Sequence, residues 1–118
     1  MSCKSFIFIN QNSQMSNIML QLINQFFEIQ HKLRENGQEP NFERNFNRLS
    51  NIFDEEGFVI QDPTNETYSD SRTDCEASIV GSISGKMKIS KVLKPIIYKK
   101  TGDTIQLVQK AVVFVEKN

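Results

Sequence analysis

The residues that could support catalysis are few and widely separated in this sequence of 118 residues. His31 is the only histidine and lies beside Lys32 on a predicted helix, where we expect it to be solvated. A histidine-based triad or a zinc site is therefore not indicated. Cys75 lies between Asp74 and Glu76, and neighbouring carboxylates raise a thiol pKa, whereas a nucleophile requires a lowered one.

One glycine-rich segment, Gly81-Ser82-Ile83-Ser84-Gly85-Lys86-Met87, is superficially similar to a phosphate-binding loop. It has three residues instead of four between its glycines, and Met87 stands where the magnesium-binding hydroxyl would be. We interpret it as a turn between strands. The acidic run Asp54-Glu55-Glu56 is interpreted as a solvated helix end and not as a metal site. The sequence predicts no catalytic residues, no cofactor and no metal.

Composition and charge exclude several other classes of function. Lysine plus arginine total 14 and aspartate plus glutamate total 14, so no overall field attracts nucleic acid or an anionic membrane. Cys3 and Cys75 do not form a disulfide framework. The start, MSCKSFIFINQ, holds too short an apolar run for a signal peptide or a membrane span. We expect a cytoplasmic protein that binds neither nucleic acid nor membrane.

Lysines are concentrated in the second half of the chain, whereas acidic residues are concentrated near residues 54–76. These lysines are Lys86, Lys88, Lys91, Lys94, Lys99, Lys100, Lys110 and Lys117. A nucleic-acid surface usually adds arginines and stacking aromatic residues, but the lysine-rich residues 86–117 contain only Tyr98 and Phe114. Binding to an acidic protein surface, or protection of sheet edges by lysine, explains the pattern better.

The predicted secondary structure, which would position any site, changes from helix to strand halfway along the chain. In the first half, apolar residues recur at intervals that alternate between four and three residues, which is the spacing of helices that pack on other helices. They are Met15, Met19, Leu22, Phe26, Ile29 and Leu33, and then Phe42, Phe46, Leu49 and Phe53. Two short helices leave these residues with more apolar surface than one chain of this length can cover. We therefore predict that the ten residues form a homodimer interface.

Capping residues and glycines predict where the helices begin and end. The first helix should begin near Ser13 or Ser16 and end at Asn36-Gly37, because glycine accepts the left-handed conformation past a helix end. Pro40 suits the first turn of a second helix over residues 41–56. The acidic run at its end opposes the helix dipole, which indicates a frayed or partner-supported end. Residues 1–14 are predicted to be a flexible arm or a short strand.

Gly57 stands where the helical region, residues 15–57, meets the β region, residues 58–118. We predict that it ends the helix in a left-handed conformation and acts as a hinge that sets the angle between the two regions. The β region reads as short apolar runs separated by turns. The predicted strands are 58–60, 77–83, 87–93, 95–98, 104–108 and 110–115, with a loop over 64–74 and a hairpin turn at Gly102.

The predicted fold is therefore α+β, with N-terminal paired helices followed by a small C-terminal β domain, either a compact sheet or a small open barrel. This layout resembles GrpE, the nucleotide exchange factor of DnaK-type chaperones. The stretch from Leu49 to Tyr68 resembles the family's passage from a leucine-rich helix through a glycine and a short strand into its "GE-x-F/Y-D" loop. Glu76-Ala77 resembles the end of the family's "HEA", and residues 112–117 resemble its last strand.

The resemblance spans residues 15–118 but includes departures. Cys75 replaces the histidine of "HEA", Val108-Gln109-Lys110-Ala111 replaces the arginine-containing "LRPA", and the family's long N-terminal helix is largely missing. The resemblance implies that the β domain binds the ATPase domain of a DnaK-type chaperone and promotes ADP release. The positions that correspond to the family's chaperone-facing strands are Lys94, Pro95, Tyr98, Gln106, Leu107 and Gln109.

Two other functions fit the same residues. A dimeric helical-plus-β adaptor would bind another protein without exchange activity. A small-ligand-binding barrel would need a convergent polar cluster, and none can be named from the sequence. Binding to a DnaK-type ATPase domain separates the exchange factor from the adaptor, and a bound metabolite would support the barrel.

Overall fold

The computed structural model describes the backbone of residues 2–80 and 86–117 and the side chains of residues 17–79 and 86–117. The segment Gly81–Gly85, which we interpreted as a turn, lies outside the described residues. The side chains of Cys3 and Met15 also lie outside them.

Within the described residues, two helices precede a region of seven strands, which confirms the α+β prediction. The helical half comprises α1 (Ser2–Glu35), a 3-10 turn (Glu39–Phe42) and α2 (Glu43–Glu55). The strands are β1 (Phe58–Gln61), β2 (Thr67–Tyr68), β3 (Cys75–Val80), β4 (Met87–Lys94), β5 (Ile96–Thr101), β6 (Thr104–Gln109) and β7 (Ala111–Lys117).

The helix α1 begins at Ser2, so the predicted start at Ser13 or Ser16 is wrong. Residues 2–14 belong to this helix, and the prediction of an arm or a short strand there is also wrong. The physical reason is that the sequence has neither glycine nor proline before Gly37. Nothing in the backbone therefore interrupts the helical hydrogen bonds, and serines within such a run do not have to act as caps.

The first helix ends just before Gly37, as the sequence predicted, and the chain turns there towards α2. Gly37 has a φ of +71°, and the N–H of Gln38 donates to the carbonyl oxygen of Leu33 at 2.8 Å. This bond across a left-handed residue satisfies a carbonyl that the helix end leaves free. Pro40 lies in the 3-10 turn, and α2 starts two residues later than predicted, at Glu43.

The strands form two sheets instead of the single sheet or barrel that the sequence suggested. The first has the order β1-β5-β6 and the second the order β2-β4-β7-β3. All neighbours are antiparallel except β3 and β7, which run parallel. β5 and β6 form the hairpin predicted at Gly102, which has a φ of +61°.

Among the side chains that the structure describes, two buried clusters hold these layers together. The β core contains Phe27, Cys75, Met87, Ile89, Val92, Ile96, Ala111, Val113 and Val115. The helical core contains Ile23, Phe26, Phe46, Phe53, Phe58 and Ile97. Because Phe26 and Phe27 are adjacent on α1 and belong to different clusters, this helix packs on both at once.

None of the helices in the described part of the chain is both long enough and apolar enough to cross a membrane.

Candidate functional site

The ten residues predicted to form a dimer interface divide into buried and exposed groups. Phe26, Phe46 and Phe53 are buried in the chain's own helical core, with Phe26 edge-to-face against Phe46 at 5.6 Å and Phe53 at 5.4 Å between ring centroids. Met19 and Leu33 pack partly against the same core. The exposed members are Leu22, Ile29, Phe42 and Leu49.

Three of these exposed residues, Leu22, Ile29 and Leu49, line a groove between α1, α2 and β1, which we call the helix groove, whereas Phe42 lies outside it. Its volume is about 800 Å³. The lining includes Met19, Leu22, Phe26, Ile29, Leu49, Ile52, Phe53 and Phe58. Leu22 is 52% exposed, Ile29 50% and Ile52 46%, an unusual exposure for aliphatic side chains that lie next to one another. The helix groove is therefore a candidate protein-binding surface.

The sequence missed Ile52 as a member of this surface because it lies off the predicted stripe of α2. A heptad stripe identifies which residues pack on a helix but not whether that helix belongs to the same chain. Since α1 and α2 pack on each other, Phe26, Phe46 and Phe53 of the stripe are buried within the chain. Leu22, Ile29 and Leu49 of the same stripe stay exposed and line the helix groove together with Ile52.

The six residues predicted to bind a chaperone also lie in different environments. Pro95 is fully buried, so its side chain supports the sheet from within. Tyr98 and Leu107 face each other across β5 and β6, are half-buried, and pack against the β core. Only Lys94 and Gln106 are exposed.

Gln109 has its hydrogen-bonding partners inside the molecule. Its amide nitrogen donates to the side-chain oxygen of Asn24 at 2.8 Å and to the carbonyl oxygen of Pro95 at 2.9 Å. The amide nitrogen of Asn24 donates back to Gln109 at 2.9 Å. This reciprocal pair joins α1 to the end of β6. Gln109 therefore fixes the helix against the sheet, a contact between residues 85 apart that sequence spacing gave no means to predict.

An exposed apolar residue that the sequence analysis did not single out extends the Tyr98–Leu107 face towards the hairpin turn. Ile105 is 61% exposed and lies opposite Lys100. Side chains two apart on a strand share a face, so Tyr98, Lys100, Ile105 and Leu107 form one surface and Gln106 lies on the other. We call these four residues the hairpin surface. β6 is also an edge strand, with β5 as its one neighbour in the sheet.

Gly57 connects the two candidate surfaces, and its predicted left-handed conformation is confirmed by a φ of +88°. Its carbonyl oxygen accepts a hydrogen bond from the N–H of Lys100 at 2.7 Å, which ties the end of α2 to the hairpin surface. A Cβ at this position would lie 2.9 Å from the carbonyl oxygen of Lys100. The backbone of β5 therefore approaches Gly57 too closely for any other residue.

The acidic end of α2 is supported by the chain itself. The ammonium group of Lys99 donates to the carbonyl oxygen of Glu56 and lies 4.5 Å from the centroid of the Phe58 ring. A cation at the last carbonyls compensates the helix dipole that the acidic run opposes. The sequence predicted that the end of α2 is frayed or supported by a partner, whereas Lys99 of β5 supports it within the same chain.

His31 is not solvated as predicted. Its Nε2 lies 3.3 Å from a carboxylate oxygen of Asp62, and its ring packs at a tilt against Phe27, with 4.1 Å between the ring centroids. The pair joins the last turns of α1 to the end of β1. Within the described part of the chain, no group of three or more histidine, cysteine, aspartate or glutamate residues is arranged to hold a metal ion.

Arg72 organises the polar loop before β3. Its guanidinium donates to Asp74 at 2.7 Å, to Glu66 at 2.7 Å and to the carbonyl oxygen of Thr67 at 3.1 Å. The hydrogen bond from Arg72 lowers the pKa of Asp74 below its usual value. Burial raises the pKa of Cys75 to about 11, so its thiol stays protonated at neutral pH. The predicted direction is confirmed, although burial contributes more than the neighbouring acids.

Comparison of the chain with protein-family models, curated proteins and solved structures gave no match.

Proposed function

We propose that the chain is a GrpE-type co-chaperone that binds the ATPase domain of a DnaK-type chaperone and promotes ADP release. The observation that carries the proposal is that each half of the chain exposes apolar side chains: Leu22, Ile29 and Ile52 in the helix groove, and Ile105 on the hairpin surface. The helix groove provides a homodimer interface, and the hairpin surface provides a contact for the chaperone. This arrangement of helices and β domain is the one that the resemblance to GrpE implies.

The mechanism requires no covalent chemistry. A protein that binds the open form of the chaperone's nucleotide cleft more tightly than the closed form shifts the population towards the open form, and ADP is released. The exposed Ile105 supplies apolar contact area, and Lys100 beside it supplies attraction towards an acidic surface. Gly57 couples the hairpin surface to α2 through its bond to Lys100.

The dimer can be tested with charge substitutions in the helix groove. We expect the wild-type chain to be a dimer and the double variant Leu22→Glu, Ile29→Glu to be a folded monomer. Both side chains are about half exposed, so charging them leaves the chain's own core intact but places carboxylates in the interface. Sedimentation velocity over a range of concentrations measures the change.

A matched control is the double variant Asn17→Glu, Gln21→Glu, which adds the same charge at exposed positions of α1 outside the groove. It should remain dimeric. Wild-type protein that sediments as a monomer at high concentration would contradict the dimer, and a monomeric control variant would place the interface elsewhere on α1.

Exchange activity is tested by the rate of ADP release from a DnaK-type chaperone. The wild-type chain should accelerate release, and Ile105→Asp should reduce the acceleration about tenfold because a charge replaces the central apolar contact. Tyr98 and Leu107 are less suitable for the test because both pack against the β core. Ile79→Asp is the control, since Ile79 is an exposed isoleucine on β3 of the other sheet.

Absence of any acceleration by wild-type protein would reject the exchange function and leave the dimeric adaptor, which uses the same two surfaces for another partner. Acceleration that survives Ile105→Asp would keep the function but exclude the hairpin surface as the contact.

A further inference from the structure

One edge of strand β4 has no neighbouring strand along most of its length. β2 pairs with the start of β4 only, Thr67 with Lys88 and Tyr68 with Met87. The loop before β2 adds two hydrogen bonds to Ile89, both at 2.9 Å. Beyond Ile89, the described residues provide no strand on this side of β4. The edge over residues 90–94 therefore offers backbone donors and acceptors to another strand.

This edge borders a groove between α1 and β4, which we call the edge groove. Its volume is about 490 Å³, within the range of sites that bind short ligands. Phe27, Val92, Leu93 and Val112 contribute the apolar part of its lining. Phe27 and Val92 belong to the β core, so these walls are held in place by packing.

The charges along the edge groove are distributed unequally between its two sides. Lys91 and Lys94 lie on the β4 side, both exposed, and neither forms an ion pair with another described residue. On the α1 side, Lys32 is paired with Glu28 at 3.1 Å. Glu35 lies on the same helix side. The strand side is therefore basic, and an added strand would lie next to it.

We propose that the edge groove binds an extended acidic segment of another protein, which adds to the second sheet beside β4. Main-chain hydrogen bonds to the free edge give affinity, as in other cases of strand addition. Carboxylates of the segment pair with Lys91 and Lys94, and a β-branched side chain between them packs on Val92. This surface is separate from the helix groove and the hairpin surface, and the proposal does not depend on the exchange function.

The probe is a fluorescein-labelled hexapeptide of alternating valine and glutamate, titrated with wild-type protein and followed by fluorescence anisotropy. We expect saturable binding that weakens as salt is added, since the ion pairs are exposed. In two-dimensional NMR spectra, the backbone amides of residues 90–94 should shift most. A peptide with lysine in place of glutamate should bind at least about tenfold more weakly.

Two controls separate strand addition from simple charge attraction. The same acidic peptide with alternate amides N-methylated keeps its charge but loses main-chain donors, and its affinity should fall about tenfold or more. Lys91→Glu with Lys94→Glu should weaken binding by a similar factor. Lys86→Glu with Lys117→Glu makes the same charge change at exposed positions outside the groove and should not.

The proposal is overturned if the acidic hexapeptide does not bind, or if its N-methylated form binds equally well. It is also overturned if the Lys86, Lys117 variant loses as much affinity as the Lys91, Lys94 variant. In each of these cases the lysines and the register shifts of β4 would serve only to keep the edge from pairing.

Discussion

Replacement of Phe26 with alanine should lower the free energy of unfolding by about 3–5 kcal/mol, a loss large enough to unfold much of the helical half. Phe26 is 8% exposed and contacts two other phenylalanines edge-to-face, so its removal leaves a cavity that neither helix can fill without moving. Urea denaturation followed by circular dichroism measures the difference. Since the same side chain also borders the helix groove, self-association should be lost as well.

Leu22 provides the comparison because it belongs to the same apolar stripe but is 52% exposed. Leu22→Ala should cost about 1 kcal/mol or less in a monomeric chain, because little buried surface is removed. If the two substitutions destabilise the protein equally, the separation of the stripe into a buried core and an exposed groove is incorrect.

Replacement of Gly57 with alanine should destabilise the protein by about 2–4 kcal/mol. Part of the cost comes from the left-handed conformation, which disfavours any residue with a Cβ. The rest comes from contact with the backbone of β5, since the added Cβ would lie 2.9 Å from the carbonyl oxygen of Lys100. A backbone oxygen inside a paired strand cannot move away without breaking neighbouring hydrogen bonds.

Gly37→Ala is the matched control for this prediction. Gly37 has a similar positive φ, +71°, but a Cβ there would meet no atom within 4 Å. It should therefore cost only about 1 kcal/mol, the conformational part alone. Equal melting temperatures for the two variants would show that the approach of β5 to Gly57 contributes nothing.

Gly57→Asp extends the test to function. The hydrogen bond between Gly57 and Lys100 joins the helix end to the strand that carries the hairpin surface. If Gly57 acts as a hinge, this variant should weaken partner binding more than its loss of stability explains, measured at a temperature where the variant is still folded. Unchanged binding by the folded variant would reduce Gly57 to a helix cap.

Elements that depend on neighbouring residues in the chain were predictable from the sequence. The helix end at Gly37, the left-handed Gly57 and the hairpin turn at Gly102 all follow from the conformational freedom of glycine. The change from helical to β periodicity gave the fold class. The start of α1 was predicted wrongly because serine is a common cap at the beginning of a helix but is also tolerated within one. Since neither glycine nor proline precedes Gly37, the helix extends back to Ser2.

The sequence by itself therefore determined the order of the elements except for the short strand β2, which lies within the predicted loop 64–74. It also determined the apolar faces and the turns at Gly37 and Gly102, since each depends on residues a few positions apart. The tertiary structure alone decided which apolar residues are buried, because the stripe of Phe26 and Leu22 is divided by how α1 packs against α2. It also decided that Gln109 bonds Asn24 and that Ile105 is exposed. These features depend on contacts between distant segments, and local spacing does not encode such contacts.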